Sequence, residues 1–454
     1  MYSLVHSRLL QAIYRHSVQS ADKAAVIVKD SSVSYASLWK NILGASAFLQ
    51  SQGLKKGDVI LLSALKDAEF VYVYFAAHLL GVVNVIVDPT SNEERKNYII
   101  GAVHPKKVFG LKEGIAYSEV SLEGAPMDIE PVSESNVAEI MFTTGTTGKP
   151  KGVLLSHANI SASADNINRY IGNTSDDVEV LGLPICHSFG LGRLRCNMLQ
   201  GATFILLGSF ANLKVLFSVM EQYRVTGLGM VPAVWEYIRK LSGRLIGKFS
   251  RQLKYIEIGS AAMSVDNKRL LMELFPHTRI CMHYGLTEAS RSLFMEFHEY
   301  ADDLTSIGTP VTGEVEVKIL SDEGVELPTG ESGELCVKGN MVLKSYLAGT
   351  DTEEAFWGDY FRTGDCAYKS ESGHYYLVSR KKEMINVGGK KVSPVEIEDA
   401  VIALGGVVDC ICVAMKDPKG LLGEVPRVYV LKSGTTRTLE EIRGELRNRI
   451  ESYK

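Results

Sequence analysis

The feature that most constrains this chain is the alternation of two hydrophobic rhythms along its first three hundred residues. "VSYASLWKNILGASAFLQSQG" (33–53) carries apolar residues at helical spacing and closes on Gly53, a C-cap residue. "DVILLSAL" (58–65) then reads as a short strand, "AEFVYVYFAAHLLG" (68–81) as a helix, and "VVNVIVDP" (82–89) as a strand stopped by Pro89. The rhythm returns in "ATFILLGSF" (202–210), "LKVLFSVMEQYRV" (213–225), "TGLGMVP" (226–232) and "LKYIEIGSAA" (253–262). Strands alternating with helices demand a largely parallel sheet covered on both faces.

From about Thr305 the pattern changes. "GEVEVKIL", "GELCVKG", "YFRTGDCAYK" and "HYYLVSR" are short, alternating and punctuated by glycine, which predicts antiparallel strands. "KKEMINVGGKKVSPVEIEDAVIAL" (381–404) is turn-rich, then opens a helix at Ser393-Pro394 with Glu396 and Glu398 in its first turn. Two strands ("VVDCICVAMKD" and "PRVYVLKSG") and an amphipathic helix ("TLEEIRGELRNRI") complete the chain. The expected fold class is therefore α/β. A large N-terminal part has parallel-rich sheets under helices, and a smaller part with antiparallel strands and α+β texture follows.

The 454 residues are 46% hydrophobic and 22% charged, enough apolar surface for two or three domains. A net charge of -4 gives no basis for nucleic-acid or anionic-membrane binding. The longest apolar stretch, Val71–Val87, is interrupted by His78, Gly81 and Asn84 and is too short for a membrane span. No signal peptide is visible, and seven scattered cysteines fit free thiols, so a cytoplasmic protein is expected. Cys410 and Cys412 alternate on one strand face as core-filling thiols. The histidines and cysteines show no metal-ligand spacing, so no site of that kind is expected from them.

"MFTTGTTGKPKGVLLSH" (141–157) concentrates hydroxyls, glycines and lysines. It is not a Walker A loop, because only two residues separate Gly145 from Gly148 and Pro150 follows Lys149. Such a loop either presents backbone N–H groups, hydroxyls and charge to a phosphate, or simply joins two strands.

Four further segments follow in order: "HYGLTEAS" (283–290), "SIGTPVTGEVEVKI" from Ser306, "YFRTGDCAY" (360–368) and "SRKKEMINVGGKKVSPVEIE" (379–398). Together with the loop they resemble the signatures of the acyl-adenylate-forming superfamily. That group holds acyl- and aryl-CoA synthetases, the adenylation domains of non-ribosomal peptide synthetases, and firefly luciferase. The resemblance covers nearly the whole chain. It implies an N-terminal AMP-binding domain over 1–378 that carries a small β-barrel-like part, a hinge at 379–382 and a small, mobile, partial α+β C-terminal domain over 383–454.

The resemblance implies a two-step reaction. A carboxylate attacks the α-phosphate of ATP, and a thiol then displaces AMP from the acyl-adenylate. Thr143, Thr144, Gly145, Thr146, Thr147, Gly148, Lys149 and Lys151 would grip the outer phosphates, with Thr144 and Lys149 acting in catalysis. Glu288, with Thr144, would hold Mg²⁺, Thr287 would bond the α-phosphate, and Tyr284, between His283 and Gly285, would stack on adenine. Gly259, Ser260 and Ala261 would wall the adenine. Asp365 would accept the ribose hydroxyls, Arg380 would contact ribose or phosphate, and Lys382 would be the hinge pivot. His187 in "LPICHSFGLGRLR" would face the acid. The lack of an acidic residue between Leu183 and Arg195 argues against an amino-acid substrate. Arg193 and Arg195 either exclude a long acyl chain, bind a second anionic group, or face solvent or an interface.

The implied partners are a small carboxylic acid and CoA, with a phosphopantetheinyl carrier protein as the other possible acceptor. Asn386 stands where many CoA ligases carry lysine. The chain ends at Lys454, before the family's Gly-Lys motif. The expectation is thus a truncated chain, a poor adenylating enzyme, or a nucleotide- or acyl-binding protein with little turnover, since losing one charge-stabilising donor costs about 10²–10³ in rate.

Overall fold

The computed structural model describes residues 7–29, 31–143, 150–347, 352–388, 390–418, 422–432, 438–447, 449–450 and 454. They divide into two compact units, 1–316 with 338–356, and 317–337 with 357–454.

The first unit holds two mixed sheets. One runs in the order Thr309–Pro310, Leu293–Glu296, Arg279–Tyr284, Tyr255–Ile258, Gly227–Met230, Val178–Leu181, Thr203–Leu206, Ala24–Val28, Ser31–Ser34. From Arg279–Tyr284 to Ala24–Val28 every pairing is parallel, and the strands beyond are antiparallel. The other sheet runs Ser345–Tyr346, Lys151–Ser156, Val137–Thr143, Val83–Val87, Val59–Ser63, Lys107–Phe109, parallel from Val137–Thr143 onward.

Helix Ala68–Leu80 explains the long apolar stretch. It packs against strands of both sheets and is buried on all sides from Phe70 to Leu80, so it needs no polar face. It ends where Gly81 takes a left-handed conformation (φ 70°) and feeds the buried strand Val83–Val87. Among the described residues no helix is long and apolar enough to cross a membrane.

The second unit is built mainly from antiparallel pairs. Tyr360–Lys369 pairs with Gly333–Lys338 on one side and Tyr375–Arg380 on the other. The turn-rich segment forms a small hairpin, Ile385–Val387 with Lys390–Val392, and a long hairpin joins Val407–Lys416 to Glu424–Lys432. Helix Pro394–Ile402 starts as its sequence predicts: the Ser393 hydroxyl caps it by accepting from the Glu396 N–H, and Pro394 occupies the first position. Glu398 corrects the expectation of two first-turn acids. It lies past the first turn, and its carboxylate accepts the Cys412 N–H at 2.7 Å. Cys412 is buried and Cys410 half-buried, and all seven cysteines are free thiols.

Candidate active site

Five chain segments of the first unit converge on a cavity of about 350 Å³. Its walls come from Met141 and Phe142 at the end of one strand, Leu183, Pro184 and Cys186–Gly190 around the start of helix Ser188–Gln200, and Val231, Ser260 and Thr287 beyond the C-terminal ends of three parallel strands. Crevices at the carboxyl ends of parallel strands are where open α/β folds bind ligands. His187 is the N-cap residue of the helix and is exposed, so its ring is available at the cavity.

Gly259 follows strand Tyr255–Ile258 at a point with no room for a side chain, since a Cβ there would stand 2.1 Å from the His283 ring. Ser260, on the cavity wall, has φ 72°, and Ala261 is exposed beside it. His283 and Tyr284 end strand Arg279–Tyr284, and Gly285, Thr287 and Glu288 lie in the loop after it. The Tyr346 hydroxyl donates to Glu288 Oε1 at 3.1 Å, and the Lys151 ammonium lies 5.4 Å from the centroid of the same Tyr346 ring. Thr143 and Lys151 face each other across an antiparallel pair. Thr144, Gly145, Thr146, Thr147, Gly148 and Lys149 lie outside the described residues.

Asp365 and Arg380 belong to the second unit and are cross-strand partners. Arg380 Nε lies 2.8 Å from Asp365 Oδ1, and its Nη1 donates to the Thr363 carbonyl at 3.2 Å. The Asp365 carboxylate is thereby held in one orientation on a buried strand position. Lys382 follows in an exposed turn.

Arg193 and Arg195 overturn every expectation placed on them. Both are buried, and neither lines the cavity. Two residues apart on a helix, they project about 200° from each other and so reach different sheets. Arg193 donates to both carboxylate oxygens of Glu179, with Nε at 2.8 Å from Oε1. Its Nη1 also lies 3.1 Å from Glu257 Oε2, an ion contact without hydrogen-bond alignment. Tyr255 and Asn197 donate to Glu179 as well, at 2.7 and 2.8 Å. Arg195 pairs with Glu139 at 2.5 Å and donates to the Tyr74 hydroxyl at 2.9 Å. A buried charge must be paired, and here each is.

The first of these clusters reaches the cavity through Arg291. Its Nε donates to Glu257 Oε1 at 3.2 Å, while Nη1 and Nη2 donate to the Ser188 and Phe189 carbonyls at 2.9 and 3.0 Å. His283 Nδ1 stands 2.8 Å from the same Glu257 oxygen. Burial works to raise the Glu257 carboxyl, but Arg291 and Arg193 outweigh it and hold it well below the usual carboxylate range. Burial lowers His283, so its ring is neutral near pH 7 despite the adjacent carboxylate.

Sequence reasoning missed Arg291, Glu257 and Tyr346. One signal was available. Glu139 in "VAEIMF", Glu179 in "VEVL" and Glu257 in "YIEI" each interrupt an apolar strand, and an acid in a buried strand requires a cation nearby. Sequence spacing points to no ligand cluster of cysteine and histidine, yet folding brings one set of candidate donors together. Asp88, Cys186 and His187 bring ligand atoms within 4.8 Å of one another. Asp88 comes from a distant loop, so no spacing pattern could reveal the set.

Comparison with known proteins accords with this geometry. The chain is 27% identical to 4-coumarate-CoA ligase 1 of Narcissus pseudonarcissus over 497 aligned positions, covering 99% of this chain and 88% of the relative. It is 28% identical to 2-succinylbenzoate–CoA ligase of Bacillus licheniformis, covering 95% and 91%. The fold matches that of o-succinylbenzoate CoA synthetase from Bacillus subtilis, solved with its acyl-adenylate intermediate, with a TM-score of 0.87 at 24% identity over 99% and 93% of the two chains. The family model for AMP-binding enzymes matches residues 13–347, and the chain belongs to the AMP-binding enzyme family.

Proposed function

We propose that this protein is an acid–thiol ligase that activates a small monocarboxylic acid as its acyl-adenylate and transfers the acyl group to CoA. The observation that carries this is the convergence of His187, Ser260 and Thr287 on one cavity, with Glu288 next to Thr287. Relatives of similar length along the whole chain that are named CoA ligases support CoA as acceptor.

In this proposal a carboxylate oxygen of the acid attacks the α-phosphorus of ATP. The bond to the bridging β-phosphate oxygen breaks, and pyrophosphate leaves. The CoA thiolate then attacks the acyl carbon and AMP leaves with the bonding pair. The segment from Thr143 to Lys151 holds the outer phosphates, with Thr144 and Lys149 at the reacting end. Thr287 orients the α-phosphate, and Gly259, Ser260, Ala261, His283, Tyr284 and Gly285 form the adenine side. Glu288 offers the hard oxygen donor that Mg²⁺ takes, with Thr144 as its companion, and that cation would neutralise phosphate charge. Asp365 accepts the ribose hydroxyls, Arg380 orients it, and Lys382 lies in a hinge at 379–382 between domains over 1–378 and 383–454.

The cavity wall supports the substrate class. Met141, Phe142, Leu183, Pro184, Phe189 and Val231 are apolar, and among the described residues no arginine or lysine lines it. The arginines that could have bound a second anion are consumed by Glu179, Glu257 and Glu139.

The test is pyrophosphate release across a panel of aryl, short, long and dicarboxylic acids with ATP and Mg²⁺, with and without CoA. Release with apolar monocarboxylates, and thioester formed with CoA, is expected. Preferential turnover of dicarboxylates would overturn the substrate class, and silence across the panel would overturn the reaction.

A further inference from the structure

We propose that Asp88, Cys186 and His187 form a binding site for a thiophilic divalent cation of the Zn²⁺ class, set in the wall of the acid cavity. The carboxylate oxygen, thiol sulfur and imidazole nitrogen lie within 4.8 Å of one another, and closing them by about 1 Å gives the donor spacing of a tetrahedral centre with bonds near 2.0–2.3 Å. His187 can make that closure, because it is exposed and sits at the N-cap rather than inside its helix.

The donor set selects the metal. Sulfur with nitrogen and one carboxylate suits Zn²⁺ or Co²⁺, whereas Mg²⁺ takes oxygen donors, so this site differs in chemistry from the Glu288 position. Asp88 is already oriented, since its Oδ1 accepts the Thr90 N–H and hydroxyl, both at 2.7 Å. Burial, with the nearby Asp88 carboxylate, pushes the Cys186 thiol up to about 12. On binding, the thiol proton passes to solvent and the thiolate–metal bond forms. Three protein donors leave a fourth position open.

A neighbouring cation among the described residues is Lys66. Its ammonium is tied to the carbonyls of Gly182, Leu207 and Gly208 at 2.6, 3.1 and 2.8 Å. Burial lowers it to about 8.

Cys186 and His187 line the same cavity as the proposed acid site. Under the ligase reading, on which this consequence rests, metal occupancy ties up His187 and inhibits turnover.

The test is a Co²⁺ titration of the full chain at pH 8 without ATP or acid, following the near-ultraviolet thiolate-to-cobalt absorption. One saturable equivalent is expected, displaced by Zn²⁺, lost in Cys186→Ser and weakened about 10- to 100-fold in Asp88→Asn. An absent thiolate band, or one that Cys186→Ser retains, would overturn the site. Far-ultraviolet circular dichroism confirms that the variants fold. Because the titration needs no turnover, an inactive ligase leaves its outcome intact.

Discussion

Arg291 Nη2 donates to the main-chain carbonyl of Phe189 at 3.0 Å, and the guanidinium lies 4.9 Å from the centroid of the Phe189 ring. One side chain thus ties the loop after "HYGLTEAS" to the start of the helix behind His187. Arg291→Met removes this tie and one of the two arginines at Glu257. A destabilisation of about 3–5 kcal/mol is expected, as for breaking a buried pair. The acid KM should rise more than kcat falls, and Arg291→Lys should recover little because lysine lacks the planar fork. Urea denaturation with pyrophosphate-release kinetics measures both, and an unchanged KM would refute the positioning role.

Arg195 and Glu139 form a buried ion pair, and neither lines the cavity. Arg195→Met alone should cost about 3–5 kcal/mol, because it strands Glu139 in the core. Adding Glu139→Leu should restore most of that loss, giving a large coupling energy in a double-mutant cycle. Additive costs would show that the pair does not act as a unit.

Tyr346 donates to Glu288 at 3.1 Å. Tyr346→Phe removes that hydrogen bond, and the Mg²⁺ concentration for half-maximal rate is expected to rise by about tenfold or more. An unchanged Mg²⁺ dependence would remove Glu288 from the metal assignment.

Gly259→Ala would drive a Cβ into the His283 ring. Acid-dependent pyrophosphate release should fall by at least about tenfold, as for a displaced catalytic loop. Circular dichroism should stay native, and full activity would mean that the strand end yields freely.

His78 and His157 are buried with rings 5.1 Å apart, and no hydrogen-bond partner is present among the described residues. Burial lowers His157 from 6.5 to about 4. The unfolded chain therefore binds a proton that the folded one refuses. Stability is fully present above pH 6.5 and is lost as pH falls towards 4, by about 3 kcal/mol for His157. Urea midpoints across this range should fall less steeply for His157→Phe, and parallel profiles would contradict the assignment.

Much of the fold was legible because secondary structure reflects neighbours in sequence. The apolar run of Ala68–Leu80, the stop at Gly81 and the strand Val83–Val87 follow from periodicity and one left-handed glycine. Ser393-Pro394 announces its helix by the same local logic. The site was legible in part: His187, Ser260 and Thr287 were named from motifs and share a cavity. Tyr346 was not, because no local signal ties it to Glu288.

The sequence by itself determined which segments become helix or strand, where they stop, and which glycines and hydroxyls lie at strand ends. Only the tertiary structure decided what the charges do. Arg193 and Arg195 read locally as free cations near a pocket, and folding gave them to Glu179, Glu257 and Glu139 on strands of two different sheets. Asp88 meets Cys186 and His187 only when two loops close on one another. Propensity acts over one turn of helix or a few strand residues, whereas ion pairing and ligand geometry act through space, and only the packed sheets set those distances.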